Sequence, residues 1–183
     1  MKIEKYIIPI LFVLLFVLII FAPYKDSFTM SGSLYINEVM SSNKTTLTSE
    51  SGKHYDWIEL YNGNDYDINL KGYHLTDDYS NTKKYEFPDV TIKRNDYLII
   101  YASGLTVDNT SELHVNFKLS SKGEAVMLFD NNNNILSKIS VNSMPSDISY
   151  GYNGEEYVYY YNPTPGKENN TQGVEKGDNN GNT

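Results

Sequence analysis

Two glutamates are the side chains best placed for acid–base chemistry, because each stands inside a regular alternating segment. Glu38 lies in residues 34–40 and Glu59 in residues 56–61. A pair of carboxylates can act as a general acid and a general base, or can bind a cation. The sequence identifies no partner for either side chain. We therefore expect both to be exposed, or paired with backbone and lysine groups at the ends of a sheet.

A calcium site on a loop is a second possibility, since Asp77 and Asp78 are adjacent and Asp56 is a further acidic side chain. Residues 65–69 come nearest to a calcium-binding loop, but they lack the glycine at its sixth position. Aspartates in such loops commonly bond their own backbone in turns. We predict no metal site and leave a weak calcium site near Asp77 and Asp78 open.

The three histidines do not have the spacing of a zinc site. His54, His74 and His114 are separated by 20 and 40 residues, and the chain contains no cysteine. The sequence also lacks a serine nucleophile elbow, a phosphate-binding loop and a kinase signature. We therefore predict no catalytic residue, no cofactor and no enzymatic activity.

Tyrosines near the end of the strand-rich region allow two interpretations. Alternation places Tyr157, Tyr159 and Tyr161 on one face of a strand. Exposed, they would suit contacts with a glycan or a protein, because tyrosine offers rigid apolar area with a polar tip. Packed against a neighbouring strand, they would instead shield the last hairpin.

Charge and composition limit the partners of the chain. The formal net charge is −8 over 183 residues. A protein of this sign gains no electrostatic attraction to nucleic-acid phosphates, so we expect no nucleic-acid binding. Seventeen tyrosines and few alanines favour strands over helices.

The N-terminus predicts attachment to a membrane. Residues 6–22 form an uncharged apolar run, which as a helix would span about 25 Å of a hydrocarbon core of about 30 Å. Lys2 and Lys5 place residues 1–5 in the cytoplasm and the rest of the chain outside. The run is longer than a typical signal peptide, which favours a transmembrane signal-anchor, while a cleaved signal with a secreted product stays open.

Short strand patterns separated by polar turns occupy residues 31–166 and predict an all-β sandwich. Alternation in residues 56–61 places Trp57, Glu59 and Tyr61 on one face. The apolar run 97–102 indicates a strand buried on both faces, residues 113–119 indicate another strand, and the asparagine-rich residues 130–134 indicate a hairpin turn. Trp57 is expected in the interior of the sandwich.

Three polar loops, residues 41–55, 77–82 and 103–112, are the predicted binding surface, because loops at the ends of a sandwich vary while the sheets hold them. Residues 167–183 are rich in Gly, Asn, Lys and Glu and are predicted to form a disordered tail.

Six segments in order resemble the bacterial lamin-tail domain: LYINEVMSSNKTTL, DWIELYN, INLKGYHLTDD, YLIIYASG, LHVNFKLSSKGE and SDISYGY with NPTPGKEN. The resemblance covers residues 34–169 and implies an immunoglobulin-like sandwich acting as a non-enzymatic accessory module. The segments EVMSSNKTTL and LHVNFKLSSKGE are most similar to those of lamin-tail domains that lie next to spore-coat-H-type kinase domains. No kinase domain follows here, so kinase activity is not implied. Gly72-Tyr73 stands where the family usually has Gly-Trp.

Two functional hypotheses follow. In the first, the chain is a membrane-anchored extracytoplasmic module that contacts a surface protein or a cell-wall polymer and catalyses nothing. In the second, it is an accessory or regulatory fragment of a spore-coat-H-type kinase or another surface enzyme. The first predicts no convergent polar pocket, whereas the second requires a cleft with at least two ionisable groups within hydrogen-bond reach.

Overall fold

The computed structural model describes residues 29–30, 33–105 and 111–169, and in this part of the chain every regular element is a strand. The predicted all-β class is therefore confirmed. No helix long and apolar enough to cross a membrane occurs among these residues. The predicted anchor at residues 6–22 lies outside them. In chain order the strands β1 to β13 are Thr29–Met30, Leu34–Met40, Asp56–Asn62, Ile68–Asn69, His74–Thr76, Tyr85–Glu86, Thr91–Ile92, Asp96–Ala102, Leu113–His114, Gly123–Phe129, Ile135–Asn142, Ser149–Tyr152 and Tyr157–Tyr160.

Two sheets form the sandwich. The first has the order β1-β11-β10-β5-β6, and the second has the order β13-β12-β2-β3-β8-β9. β4 and β7 form a small separate ladder. Pairing is antiparallel except between β8 and β9, where Ile100 lies opposite Leu113 in a parallel arrangement. The second sheet carries the candidate site.

The core lies between the sheets because successive side chains of a strand point to opposite faces. Ile58 and Leu60 of β3 are fully buried in it, together with Ile36 of β2 and Val126 and Leu128 of β10. The alternation of β3 therefore sends Trp57, Glu59 and Tyr61 to the outer face, as the sequence predicted.

Trp57 is fully buried although it points away from the core. It packs with Met40 and Tyr101, its partners across the strands, while Leu47 and Tyr55 of the loop at residues 41–55 pack against this cluster. The expected burial of Trp57 is confirmed, and one of the three predicted loops provides its cover.

Some predicted boundaries differ from the structure. The strand expected near residue 113 ends at His114, although Val115, Phe117 and Leu119 beyond it are buried in the core. In β8 only the last three residues are buried, so burial on both faces does not extend to its first half. The folded domain extends three residues beyond its predicted end at residue 166, since Asn169 is 6% exposed and hydrogen-bonded to the fold. Residues 170–183 lie outside the described part.

Candidate functional site

The outer face of β2, β3 and β8 carries three rows of side chains, because directly paired residues share a face. The tyrosine row places Tyr35 opposite Tyr61 and Tyr61 opposite Tyr97, while the tryptophan row is Met40, Trp57 and Tyr101. Between them Glu38 lies directly opposite Glu59. β2 shifts register between Ile36 and Glu38, which is how an irregular strand brings both Tyr35 and Glu38 to this face.

The two glutamates are fully buried, so the expectation of exposed carboxylates at sheet ends is wrong. The Ser149 hydroxyl donates to Glu38 Oε1, and the Thr164 backbone N–H lies 3.3 Å from the same oxygen. The Asn37 amide donates to Glu59 Oε1 at 2.8 Å, and the Gly166 N–H donates to Oε2. Backbone pairing was anticipated, but among the described residues no lysine contacts either carboxyl.

A C-terminal strap, residues 163–169, closes over this pair. It supplies the N–H groups of Thr164 and Gly166, and the Asn169 amide donates to the backbone carbonyls of Asn37 and Tyr152. The strap can lie this close because position 151 is glycine. A Cβ there would stand 2.7 Å from the Asn169 amide nitrogen and 3.0 Å from Glu38 Cγ.

Burial disfavours the charged form of both carboxyls. Burial raises the pKa of Glu59 to about 8, with hydrogen bonds from Gly166 and Asn37 acting in the opposite direction and the charge of Glu38 adding to the rise. The pKa of Glu38 is also raised by burial, against hydrogen bonds from Ser149 and Thr164. The chemistry available to the pair is proton exchange, and the strap separates it from any ligand.

A groove with a volume of about 380 Å³ lies beside the strap, along the tyrosine row. Tyr152 of β12 extends this row to four tyrosines. Tyr152 meets Tyr35 edge-on at a ring-centroid distance of 5.5 Å; Tyr35 meets Tyr61 at 5.6 Å, and Tyr61 meets Tyr97 at 4.7 Å. All four side chains are partly exposed. The remaining lining comes from Asn37, Asn95, Asn153, Gly154, Glu168 and Asn169.

Two of the groove tyrosines, Tyr35 and Tyr97, have raised pKa values and act as neutral hydrogen-bonding groups. Burial, helped by the neighbouring tyrosines, raises the pKa of Tyr35, and burial raises the pKa of Tyr97 to about 12. Within the described part of the chain, the hydroxyls of Tyr35, Tyr61 and Tyr97 make no hydrogen bond to protein, whereas the Tyr152 hydroxyl donates to the Gly154 carbonyl at 2.8 Å. A ligand in the groove would find aromatic surface and unoccupied hydroxyls.

The aspartates considered for calcium serve the fold. Asp78 Oδ1 accepts hydrogen bonds from the N–H and hydroxyl of Ser80, which is the expected turn, and Asp77 pairs with Lys84 at 2.6 Å. Asp56 accepts from the Asn43 N–H. In the described residues no three acidic or histidine side chains are placed to hold a metal ion.

The histidines stand in three different settings. His54 lies 3.0 Å from the Leu47 carbonyl, His74 is buried in the first sheet, and His114 stacks on Tyr101 in the second. Their spacing in the sequence did not indicate a zinc site, and in the structure each of the three contacts different residues.

The last hairpin uses its tyrosines for packing. Tyr157 is buried in the core and its hydroxyl donates to the Ile36 carbonyl. Tyr159 contacts the ring of Tyr150 on the adjacent strand at 4.8 Å. Tyr161 lies beyond the strand and is 57% exposed. Of the two interpretations, cross-strand packing therefore applies to Tyr157 and Tyr159.

Of the three predicted loops, two contact each other, and none of their described residues lines the groove. The Glu50 N–H donates to Glu112 Oε1 at 2.8 Å, which joins residues 41–55 to the end of 103–112. The third loop, residues 77–82, contains Asp77 and Asp78 and follows β5 of the first sheet. Its Thr82 hydroxyl donates to Asn133 Oδ1. Sequence reasoning missed the groove because the register that aligns its tyrosines is not visible from alternation within single strands.

Comparison with models of known protein families matches residues 28–143, more than half of the chain, to the lamin tail domain. No curated protein is significantly similar to the sequence. The match agrees with the two packed sheets and with the resemblance carried by the motifs of β2, β3 and β8, and it contains no information about a neighbouring kinase domain. The chain belongs to the lamin tail domain family and is an immunoglobulin-like module of that type.

Proposed function

We propose that this protein is a non-catalytic binding module, held at the outer side of a membrane by residues 6–22, that contacts a surface protein or polymer through the tyrosine groove. The observation that carries the proposal is the continuous row of four partly exposed tyrosines beside polar side chains. Tyrosine is the side chain most often used for such contacts, since it presents a large rigid surface with little entropy to lose.

The groove is better supported as the contact surface than the predicted loops. In residues 41–55 the polar groups are engaged within the fold: Asn43 bonds Leu47 and Tyr55, and Asp147 accepts from Lys44 and Thr45. The bonded part of this loop covers Trp57, while residues 44–45, 48 and 50–54 are exposed. The loops nevertheless remain an alternative surface.

The absence of catalysis is part of the proposal. Glu38 and Glu59, whose pKa values burial raises, are both fully buried under the strap and hydrogen-bonded to the fold. A general acid must reach the proton it transfers within about 3 Å or through one water. The accessory-fragment hypothesis remains the alternative, and it would require an enzyme that this domain contacts.

Retention by a surface fraction tests the proposed function. The full chain, held in lipid nanodiscs, is incubated with the insoluble surface fraction of cells and sedimented. We expect retention in the pellet, a reduction of roughly tenfold on Tyr97→Ala, and no change on Tyr66→Ala, a matched variant at a tyrosine that is 59% exposed outside the groove. Absence of retention, or equal losses in both variants, would refute the binding function.

Protease treatment of intact cells tests the topology. Protease added outside should remove the domain if Lys2 and Lys5 hold the N-terminus inside. Digestion that occurs only after lysis would contradict the proposed location.

A further inference from the structure

The charges around the groove exclude a strongly charged ligand. Its lining contains one carboxylate, Glu168, and no lysine or arginine among the described residues. An anionic polymer would meet no cation there and would be repelled by a protein of net charge −8. A basic segment would be expected to meet several clustered carboxylates, and the groove provides only one. The lining therefore matches a neutral, polar ligand.

The shape of the groove favours an extended ligand. Tyr35, Tyr61 and Tyr97 lie on three adjacent strands and Tyr152 lies on a fourth, so the row crosses three strand spacings, about 14 Å. This length suits several linked sugar rings better than one, because successive sugar rings can contact the exposed parts of different tyrosines along the row.

Hydrogen-bonding capacity separates a sugar chain from a proline-rich peptide. Asn95, which has a φ of 53° at the turn before β8, is exposed at the groove and offers both a donor and an acceptor. Glu168 adds an acceptor, and the hydroxyls of Tyr35, Tyr61 and Tyr97 can each donate and accept. A proline-rich backbone presents mainly carbonyl acceptors, so it would leave the acceptors of the groove without partners. Sugar hydroxyls satisfy both kinds of group.

We propose that the tyrosine groove binds a neutral oligosaccharide, with sugar faces on Tyr35, Tyr61, Tyr97 and Tyr152 and sugar hydroxyls bonded to Asn95 and Glu168. This inference rests on the proposed binding function and deepens it by naming the class of ligand. A cell-wall glycan and a glycan on a surface protein would present the same chemistry to the groove.

Isothermal titration of the full chain in nanodiscs tests the ligand class. The probes are chitohexaose and cellohexaose as neutral hexasaccharides, trigalacturonic acid as an anionic sugar, and a proline decamer. We expect at least one neutral hexasaccharide to bind saturably. Tyr97→Ala should weaken that binding about tenfold, and Asn95→Gly should weaken it several-fold. Tyr66→Ala is the control.

Asn95→Gly keeps the test valid if Tyr97→Ala fails to fold. Glycine accepts the positive φ of position 95, so this variant removes the amide without straining the turn. The emission of Trp57, the only tryptophan, verifies folding in each variant.

The proposal is overturned if neither neutral sugar binds, if binding is unaffected by both groove variants, or if the proline decamer or trigalacturonic acid binds more tightly. Failure of the sugar titrations with continued retention by the surface fraction would remove the ligand class and leave the binding function standing. If the sugar titrations and the retention experiment both fail, the ligand class and the binding function are both refuted.

Discussion

Replacing Glu59 with glutamine probes the most strongly perturbed group of the sandwich. Its carboxyl is fully buried between Asn37 and the strap, and burial raises its pKa from 4.5 to about 8. The folded protein therefore holds a proton between these pH values that the unfolded chain has released. Unfolding releases that proton, so the stability contributed by this group is fully present below pH 4.5 and is lost as pH rises through about 8.

The size of the effect follows from the change in pKa. A tenfold change in proton affinity is worth about 1.4 kcal/mol, which gives an upper limit of about 5 kcal/mol for Glu59. Local opening of the strap would admit water, so we expect a loss of roughly 2–4 kcal/mol between pH 5 and pH 9. Glu38 shifts in the same direction. Asp147, whose hydrogen bonds lower its pKa to about 2, is ionised in both states over this range and contributes no slope.

Glutamine is nearly isosteric with protonated glutamate. Its carbonyl can accept from the Gly166 N–H, and its amide can donate to Asn37 if that side chain turns over. We expect Glu59→Gln to match the original protein within about 1 kcal/mol at pH 5 and to exceed its stability by roughly 2–4 kcal/mol at pH 9. Glu155→Gln, at an exposed position in a turn, is the matched control.

Urea unfolding of the full chain in a mild detergent, at intervals from pH 5 to pH 9, measures this difference. Trp57 reports the transition from the same sheet face, two residues from the substitution. The reasoning is wrong if the original protein is as stable at pH 9 as at pH 5, or if Glu59→Gln keeps the original pH dependence.

Two further substitutions test how the outer face is covered. Gly151→Ala should cost roughly 1–3 kcal/mol, because its Cβ would meet Asn169 and Glu38 at 3.0 Å or less, and urea unfolding measures the loss. Asp147→Asn should loosen the loop at residues 41–55, because Asp147 accepts from Lys44 and Thr45. We expect faster amide hydrogen exchange at Thr45 in the variant.

The parts of the fold that depend on local pattern were predictable from the sequence. Alternation assigned Trp57, Glu59 and Tyr61 to one face, and the asparagine-rich turn at residues 130–134 marked the hairpin between β10 and β11. The spacing of strands and turns indicated a sandwich. Each of these features involves residues close together in the chain, where side-chain period and turn chemistry dominate.

The candidate site was not predictable, because contacts between distant segments create it. The N–H that bonds Glu59 comes from a residue 107 positions later, and the hydroxyl that bonds Glu38 comes from 111 positions later. From the sequence, no partner for either carboxyl could be identified, so both were expected to be exposed or paired at the ends of a sheet. The strap supplies donors that partly offset the cost of burying the carboxyls, and no local pattern in residues 163–169 indicates where it docks.

The three rows on the outer sheet face differ in what covers them, and this difference points to the groove. The loop at residues 41–55 closes over the tryptophan row, and the strap closes over the glutamate pair. The described residues leave only the tyrosine row partly open. Tryptophan gains from burial, and a protonated carboxyl can be buried when it is hydrogen-bonded. Tyrosine tolerates half-exposure because its ring packs and its hydroxyl stays solvated. A face that buries two rows and keeps an aromatic, hydroxyl-bearing third accessible has the composition of a contact surface.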